Sequence, residues 1–253
     1  MSSVPHYLDD GDGDPLVLLH SGGMAHQEWN VHREALTQRF RVLAPDLPGH
    51  GRTPLAGETL TVREMREAVE AMLADADVDR AHVVGSSMGG AVALRLALEG
   101  PELVDRLVSF RAGYRRDTKD VVDDLRLDDP GYWRSVGMAE WLARIHEPQG
   151  GEDAWQTVVA RAARLSRNDP EAHRVTREQL AEIQAPTLVV AGDRDPIVPV
   201  EEAVEMYETI PEADLWIIPH AGHVVAARTW RREPFGEEIT RFLRDTRHDP
   251  EQG

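Results

Sequence analysis

Short apolar runs alternate with stretches of helical period along most of this chain. Residues 15–20 (Pro-Leu-Val-Leu-Leu-His) and 41–46 read as buried strands, and residues 28–39 between them repeat apolar positions at a helical spacing. A helix follows over 61–74, with Thr61 as N-cap and Glu64 completing a capping box. Next come a strand at 81–84, a helix at 88–99 and a strand at 107–110. Residues 4–15, rich in Asp and Gly, predict an N-terminal hairpin turn at the sheet edge. The alternation breaks near Gly113 and resumes at Pro186. The intervening residues have helical composition over 117–127, 131–147, 151–167 and 170–183, punctuated by Pro and Gly. A strand at 187–191, a helix at 200–209, a strand at 215–218 and a helix at 235–244 complete the pattern, and 246–253 reads as a frayed tail. Strand–helix alternation predicts an α/β fold with a mostly parallel central sheet flanked by helices. Residues 1–112 and 186–253 would form its core domain, and 113–185 an inserted helical cap.

One junction in this pattern carries chemistry. Gly85-Ser86-Ser87-Met88-Gly89 stands between the strand at 81–84 and the helix at 88–99. A serine on so sharp a strand-to-helix turn projects its hydroxyl above the sheet, and small neighbours are needed because a Cβ there would strike the strand or the helix.

The totals narrow the surroundings of this site. A chain of 253 residues buries one large core. It has no cysteine, so a thiol nucleophile, disulfides and thiolate metal sites are excluded. A net charge of −17 speaks against nucleic acid and anionic membranes as partners. The first residues carry no signal-peptide pattern and no apolar run is long enough for a bilayer, so a cytoplasmic location is expected. Lys119 is the only lysine among 28 basic residues. A salt-rich cytoplasm and a GC-rich genome both account for that bias.

A serine hydroxyl is nearly inert at neutral pH and needs a base, an orienting acid and an oxyanion hole. In α/β sheets ligands gather at the carboxyl ends of strands, so candidates should lie just after them. Two histidines, His220 and His223, follow the strand at 215–218. Chain order and the preceding Gly222 favour His223 as base, leaving His220 as a loop hydrogen-bonding residue. After the strand at 187–191 come Asp193 and Asp195. Asp195 can reach across to the histidine, whereas Asp193 suits a turn-capping role. The strand at 15–20 runs into Ser21-Gly22-Gly23, whose backbone can offer one oxyanion donor, and the amide of Met88 would offer the second.

On these residues the chain resembles the α/β-hydrolase fold superfamily, in its small, capped serine esterase or lactonase branch. The resemblance implies Ser87 as nucleophile, Asp195 as acid, His223 as base and Gly22 as donor of an oxyanion amide. The loop Asp46-Leu47-Pro48-Gly49-His50-Gly51-Arg52 matches a structural loop of the same superfamily. Ser21 departs from the pattern, since glycine is usual there. His20 and His50 are then expected to brace loops, and His82 to be satisfied locally.

The expected reaction is hydrolysis of a carboxylic ester or lactone of a small, largely apolar substrate through an acyl-enzyme. C–C bond hydrolysis, perhydrolase- or haloperoxidase-like activity and hydroxynitrile-lyase-like activity use the same three residue types and stay open, as does a non-catalytic ligand receptor. Gly23, His26, Arg111, Trp133, Met138, Trp141 and Trp155 are candidate substrate contacts, the aromatic and Met residues equally as the cap's own core. Arg111 with Arg115 and Arg116 makes a locally basic stretch that a carboxylate-bearing substrate could use. No cofactor and no metal are expected, and the chain is expected to be a monomer or homodimer.

Overall fold

The computed structural model describes residues 3–57, 59–114, 125–165, 169, 175–223 and 229–244, the side chains of 229–232 excepted. Seven strands form one sheet: β1 (Tyr7–Asp10), β2 (Asp14–Leu19), β3 (Phe40–Pro45), β4 (Ala81–Ser86), β5 (Val104–Phe110), β6 (Thr187–Gly192) and β7 (Ala213–Ile218). Their order is β1-β3-β2-β4-β5-β6-β7, with every pairing parallel except β1 against β3. The expected N-terminal hairpin is therefore corrected. β1 pairs with β3 in the register Tyr7 to Pro45, and the glycine loop after it passes the start of β3 to reach β2 on the far side. That passage is tight, for a Cβ on Gly13 would lie 2.1 Å from the Arg39 carbonyl oxygen.

Helices α1 (Asn30–Thr37), α2 (Val62–Asp75) and α3 (Met88–Glu99) follow β2, β3 and β4, and α8 (Val200–Thr209) and α9 (Thr229–Leu243) follow β6 and β7. Strand alternation sends side chains to two faces. Val17, Leu19, Leu43 and Val83 pack with Met65 and Met72 of α2, Val92 and Leu96 of α3 and Met206 of α8. Leu16, Leu18, Val42, Val84 and Val108 pack with Leu36 of α1 and Phe235, Ile239 and Phe242 of α9. Each large apolar side chain buried this way stabilises the fold by about 1.5–3 kcal/mol.

At the α2 N-terminus Thr61 Oγ1 accepts from the Glu64 amide at 3.1 Å, as its sequence predicts. The box is not closed, because Glu64 takes the Thr61 hydroxyl proton at 3.0 Å instead of the backbone one. Between β5 and β6 lie α4 (Pro130–Ser135), α5 (Ala139–His146), α6 (Ala154–Ala163) and the short α7 (Arg177–Leu180). The helix expected over 131–147 is two helices, broken where Gly137 takes φ 75°. The helix expected over 117–127 falls largely outside the described residues, and within 175–183, the described part of the one expected over 170–183, only the short α7 forms. Helix α9 begins ahead of the expected 235, running through Pro234. Among the described residues no helix is long and apolar enough to cross a membrane.

The chain lays β3 on one side of β2 and then β4 on the other. The order in which parallel strands are added to the sheet thus reverses between β2 and β4, and in such sheets ligands gather at the carboxyl ends of the strands at that point. Both the Ser21-Gly22-Gly23 loop and Ser87 sit at that point.

Candidate active site

Ser87 follows β4 with φ 53° and ψ −114°, a strained backbone for any residue but glycine. Its neighbours explain how the turn closes. A Cβ on Gly85 would lie 2.4 Å from the Gly89 carbonyl oxygen, and one on Gly89 would lie 2.5 Å from that of Leu19. The turn thus presses α3 against β2 and leaves the Ser87 side chain pointing out. Met88 is the first residue of α3, so its N–H has no intrahelical acceptor and lies at the positive end of the helix dipole.

His223 Nε2 lies 3.0 Å from Ser87 Oγ, and His223 Nδ1 donates to Asp195 Oδ2 at 2.7 Å. The other carboxylate oxygen of Asp195 accepts from the amides of Ile197 at 2.8 Å and Val198 at 3.1 Å. Burial works to raise the Asp195 carboxyl, but His223 and these two amides hold it below the usual carboxylate range. Burial also lowers the His223 imidazole, against the Asp195 bond that favours its charged form. The imidazole is thereby kept neutral near pH 7, ready to accept a proton.

The flanking loops are tied together. Asp193 Oδ1 accepts from the Ala221 amide at 3.0 Å, a bridge across 28 residues where a local turn cap was expected. His220 takes a left-handed backbone conformation (φ 53°) and its ring meets Arg194. Gly22 adjoins Met88, since a Cβ on it would lie 3.6 Å from Met88 Cβ and 3.3 Å from Ala162 Cβ of α6. The loop carrying Gly22 thus lies against Met88, the residue after the serine at the start of α3.

The model of the alpha/beta hydrolase family matches residues 16–232, which takes in the parallel strands from Leu16 of β2 onward, the serine turn and both loops after β6 and β7. The chain belongs to the alpha/beta hydrolase family. Among its relatives, a dihydrolipoyllysine-residue acetyltransferase component of an acetoin cleaving system from Pseudomonas putida is 31% identical, over 92% of this chain and 64% of that protein. The chain thus spans less than two thirds of that relative's length. A 2-hydroxy-6-oxononadienedioate/2-hydroxy-6-oxononatrienedioate hydrolase from Burkholderia vietnamiensis is 30% identical, covering 94% of this chain and 90% of the relative. A pimeloyl-(acyl-carrier protein) methyl ester esterase from Nitrosomonas europaea is 29% identical, covering 88% and 93%. The solved structure of a 2-hydroxy-6-oxo-6-phenylhexa-2,4-dienoate hydrolase from Rhodococcus sp. strain RHA1 shares the fold, with TM-score 0.79, 22% identity and 95% coverage of each chain.

Several expected substrate contacts of this alpha/beta hydrolase are engaged elsewhere. Trp155 joins Ala25, Leu142, Ile145 and Val159 in one buried apolar cluster between α4–α6 and the loop after β2, with the partly buried Trp133, Met138 and Trp141 packed against it. Of the two readings the sequence offered for these residues, the cluster matches the cap's own core. Trp155 is buried beneath Arg134, and Trp133 Nε1 donates to the Leu127 carbonyl at 2.8 Å. His26 gives both its amide (3.0 Å) and its Nδ1 (2.7 Å) to Asp46, so its polar contacts brace the loop. Gly23 (φ 74°) donates its amide to His50 Nε2 at 3.1 Å, and its carbonyl accepts from His146 Nε2 at 2.9 Å. Its peptide groups therefore face histidines. Arg111 is spent on protein partners, Ser21, Ser86, Glu28 and the His223 carbonyl, which corrects its reading as a carboxylate anchor. Arg115 and Arg116 lie outside the described residues.

His20, His50 and His146 form a buried group around the loop after β2. Each donates from one ring nitrogen to a carbonyl (Ser21, Pro48 and Gly23) and accepts an amide at the other (Leu47, Gly23 and Gly51). That pattern requires the neutral ring. Burial accordingly lowers all three, His50 well below its ordinary value and His146 to about 4. His82, by contrast, pairs with Asp105 at 3.0 Å.

His6, His26 and Asp46 bring three donor atoms within 4.8 Å of one another, the count a metal would need. Two of the three are already engaged with each other by hydrogen bonding. Asp46 accepts from His26 twice and from the Arg52 amide at 2.9 Å, and His6 Nδ1 lies 3.2 Å away. The Arg52 guanidinium against His6 Nε2 disfavours a further cation.

Proposed function

We propose that the chain hydrolyses carboxylic esters or lactones of small, largely apolar substrates through an acyl-enzyme on Ser87. The observation that carries this reading is the unbroken relay from Ser87 Oγ through His223 to the buried Asp195 carboxylate, at 3.0 and 2.7 Å. In it His223 takes the serine proton as Ser87 attacks the carbonyl carbon. The imidazolium then protonates the leaving alcohol, and the same ring deprotonates the water that releases the acid. Asp195 holds the ring in the right tautomer and stabilises the imidazolium. The amides of Gly22 and Met88 serve the tetrahedral oxyanion, each worth on the order of 3 kcal/mol in the transition state. The insertion 113–185 acts as a cap that shapes the substrate's surroundings.

The esterase among the relatives supports the ester reading. The hydrolase of 2-hydroxy-6-oxononadienedioate, at 30% identity over nearly the whole of both chains, favours C–C bond hydrolysis as the second reading. A panel of short- to long-chain p-nitrophenyl esters and lactones, run beside vinylogous 1,5-diketone acids, separates the two. Ser87→Ala is expected to abolish turnover on whichever class is accepted, together with fluorophosphonate labelling. Labelling that persists in Ser87→Ala would refute the serine mechanism.

A further inference from the structure

Arg111 lies one residue beyond β5, with a left-handed backbone (φ 44°) that a long side chain holds only where its surroundings fasten it. Its side chain is 7% exposed, and its guanidinium meets three of the site's loops, those carrying Ser21, Ser87 and His223. Nε donates to Ser86 Oγ at 2.8 Å, next to the serine, and Nη1 donates to the backbone carbonyl of His223. Nη2 donates to Ser21 Oγ at 2.8 Å, on the loop that carries Gly22, and to Glu28. Glu28 closes the set by accepting the Ser21 amide and hydroxyl, both at 2.7 Å.

A buried ion pair of this kind adds little net stability over apolar packing of equal volume, because both charges lose their hydration. What a planar five-donor fork supplies, and an apolar side chain does not, is fixed geometry among several acceptors. Ser21 matters for the same reason. Where the superfamily pattern has glycine, this chain places a hydroxyl that receives Arg111, gives its proton to Glu28 and stands 3.2 Å from Ser86 Oγ.

We propose that Arg111 is a positioning residue which, with Ser21 and Glu28, locks the oxyanion loop, the serine turn and the His223 loop into one register. The proposal rests on the reading of Ser87 as nucleophile. Three charged groups bear on the His223 ring: Asp195 and Glu28 favour its protonated form, and Arg111 opposes it.

The test is steady-state kinetics of the full chain on its best ester across pH, with circular dichroism and thermal unfolding on each variant. Arg111→Met should lower kcat on the order of 10- to 100-fold with KM within about threefold, as expected of a displacement near 1 Å. It should also move the acid limb of kcat/KM upward, since a cation opposing His223 protonation is gone. Arg111→Lys should keep the acid limb near wild type, because the charge remains, yet not recover kcat, because the fork is lost. Ser21→Gly, the mildest change, should lower kcat about tenfold, and adding Glu28→Gln should cost less than its single effect, as for groups acting together. Folded Arg111→Met with wild-type kcat and acid limb overturns the proposal. Should that variant not fold, wild-type kcat in Ser21→Gly overturns it. Full activity in Ser87→Ala overturns the nucleophile reading and this one with it, whereas an inactive Ser87→Ala beside unaffected Arg111 and Ser21 variants overturns the positioning alone.

Discussion

At the residue scale, the Ser87 proton can pass only to a neutral His223. Burial sets the folded pKa of that ring below its ordinary 6.5, so ester turnover should hold at neutral pH and fall as pH drops through the lowered value. The acid limb of kcat/KM should therefore lie below 6.5, and a limb above it would contradict the burial of the ring. Asp195→Asn removes the charge that favours the imidazolium and offers the wrong hydrogen-bonding partner to Nδ1. A kcat loss on the order of 10²–10⁴-fold is expected, with KM little changed. Gly85 is the least replaceable residue of the turn, because an added Cβ would meet Gly89 O at 2.4 Å, Gly90 Cα at 2.7 Å and Ala93 Cβ at 2.8 Å. Gly85→Ala should cost at least about 1–3 kcal/mol of stability, read from urea unfolding. A midpoint equal to wild type would mean that β4 and α3 are less closely apposed than described.

At the element scale, the histidines under the loop after β2 give stability a pH dependence. Each is neutral in the fold and has its pKa lowered, so the unfolded chain binds more protons on acidification. Their contribution is complete above the unfolded value near 6.5 and is lost progressively below it, down to about 4 for His146. Unfolding midpoints should thus decline from pH 6.5 toward pH 4, and His146→Ala should flatten part of that decline. The same variant leaves the Gly23 carbonyl and Gly51 amide buried without their partner, at a cost of about 1–3 kcal/mol at pH 7. The strands and helices around the sheet were legible because period-2 and period-3.6 patterns are local. The three residues of the relay were legible because each follows a strand end. What local pattern cannot carry is choice of partner. The pairing of β1 depends on a strand over thirty residues away, and the partner of Arg111 was not legible because Glu28 lies 83 positions earlier. The tryptophans between β5 and β6 fit a pocket wall and a packing seam equally well by composition, and it is their packing with Leu142, Ile145 and Val159 that the fold adds. The split at Gly137 was concealed by the good helix formers of Ala139–His146 that follow it, which extend a helical pattern back across the glycine.

At the scale of the whole molecule, a net charge of −17 means self-repulsion that compactness must overcome. Surface pairs such as Arg41–Asp9 at 2.6 Å and Arg80–Asp105 at 3.3 Å relieve it locally, each worth at most about 1 kcal/mol. Raising salt from about 10 mM to 1 M shrinks the Debye length from about 30 to 3 Å, so the unfolding midpoint should rise. An unchanged midpoint would show that repulsion is already balanced within the fold and assign the arginine bias to base composition. One junction also bears on how such proteins diversify. His146, at the end of α5, accepts from Gly51 and donates to Gly23, so the loops after β2 and β3 are joined through a single side chain of the inserted helices. The helices between β5 and β6 are therefore not an interchangeable module. Grafting a relative's insertion onto this sheet would sever that joint and loosen the very backbone that stands beside Ser87, and a chimera with altered selectivity would need its histidine transplanted along with the helices.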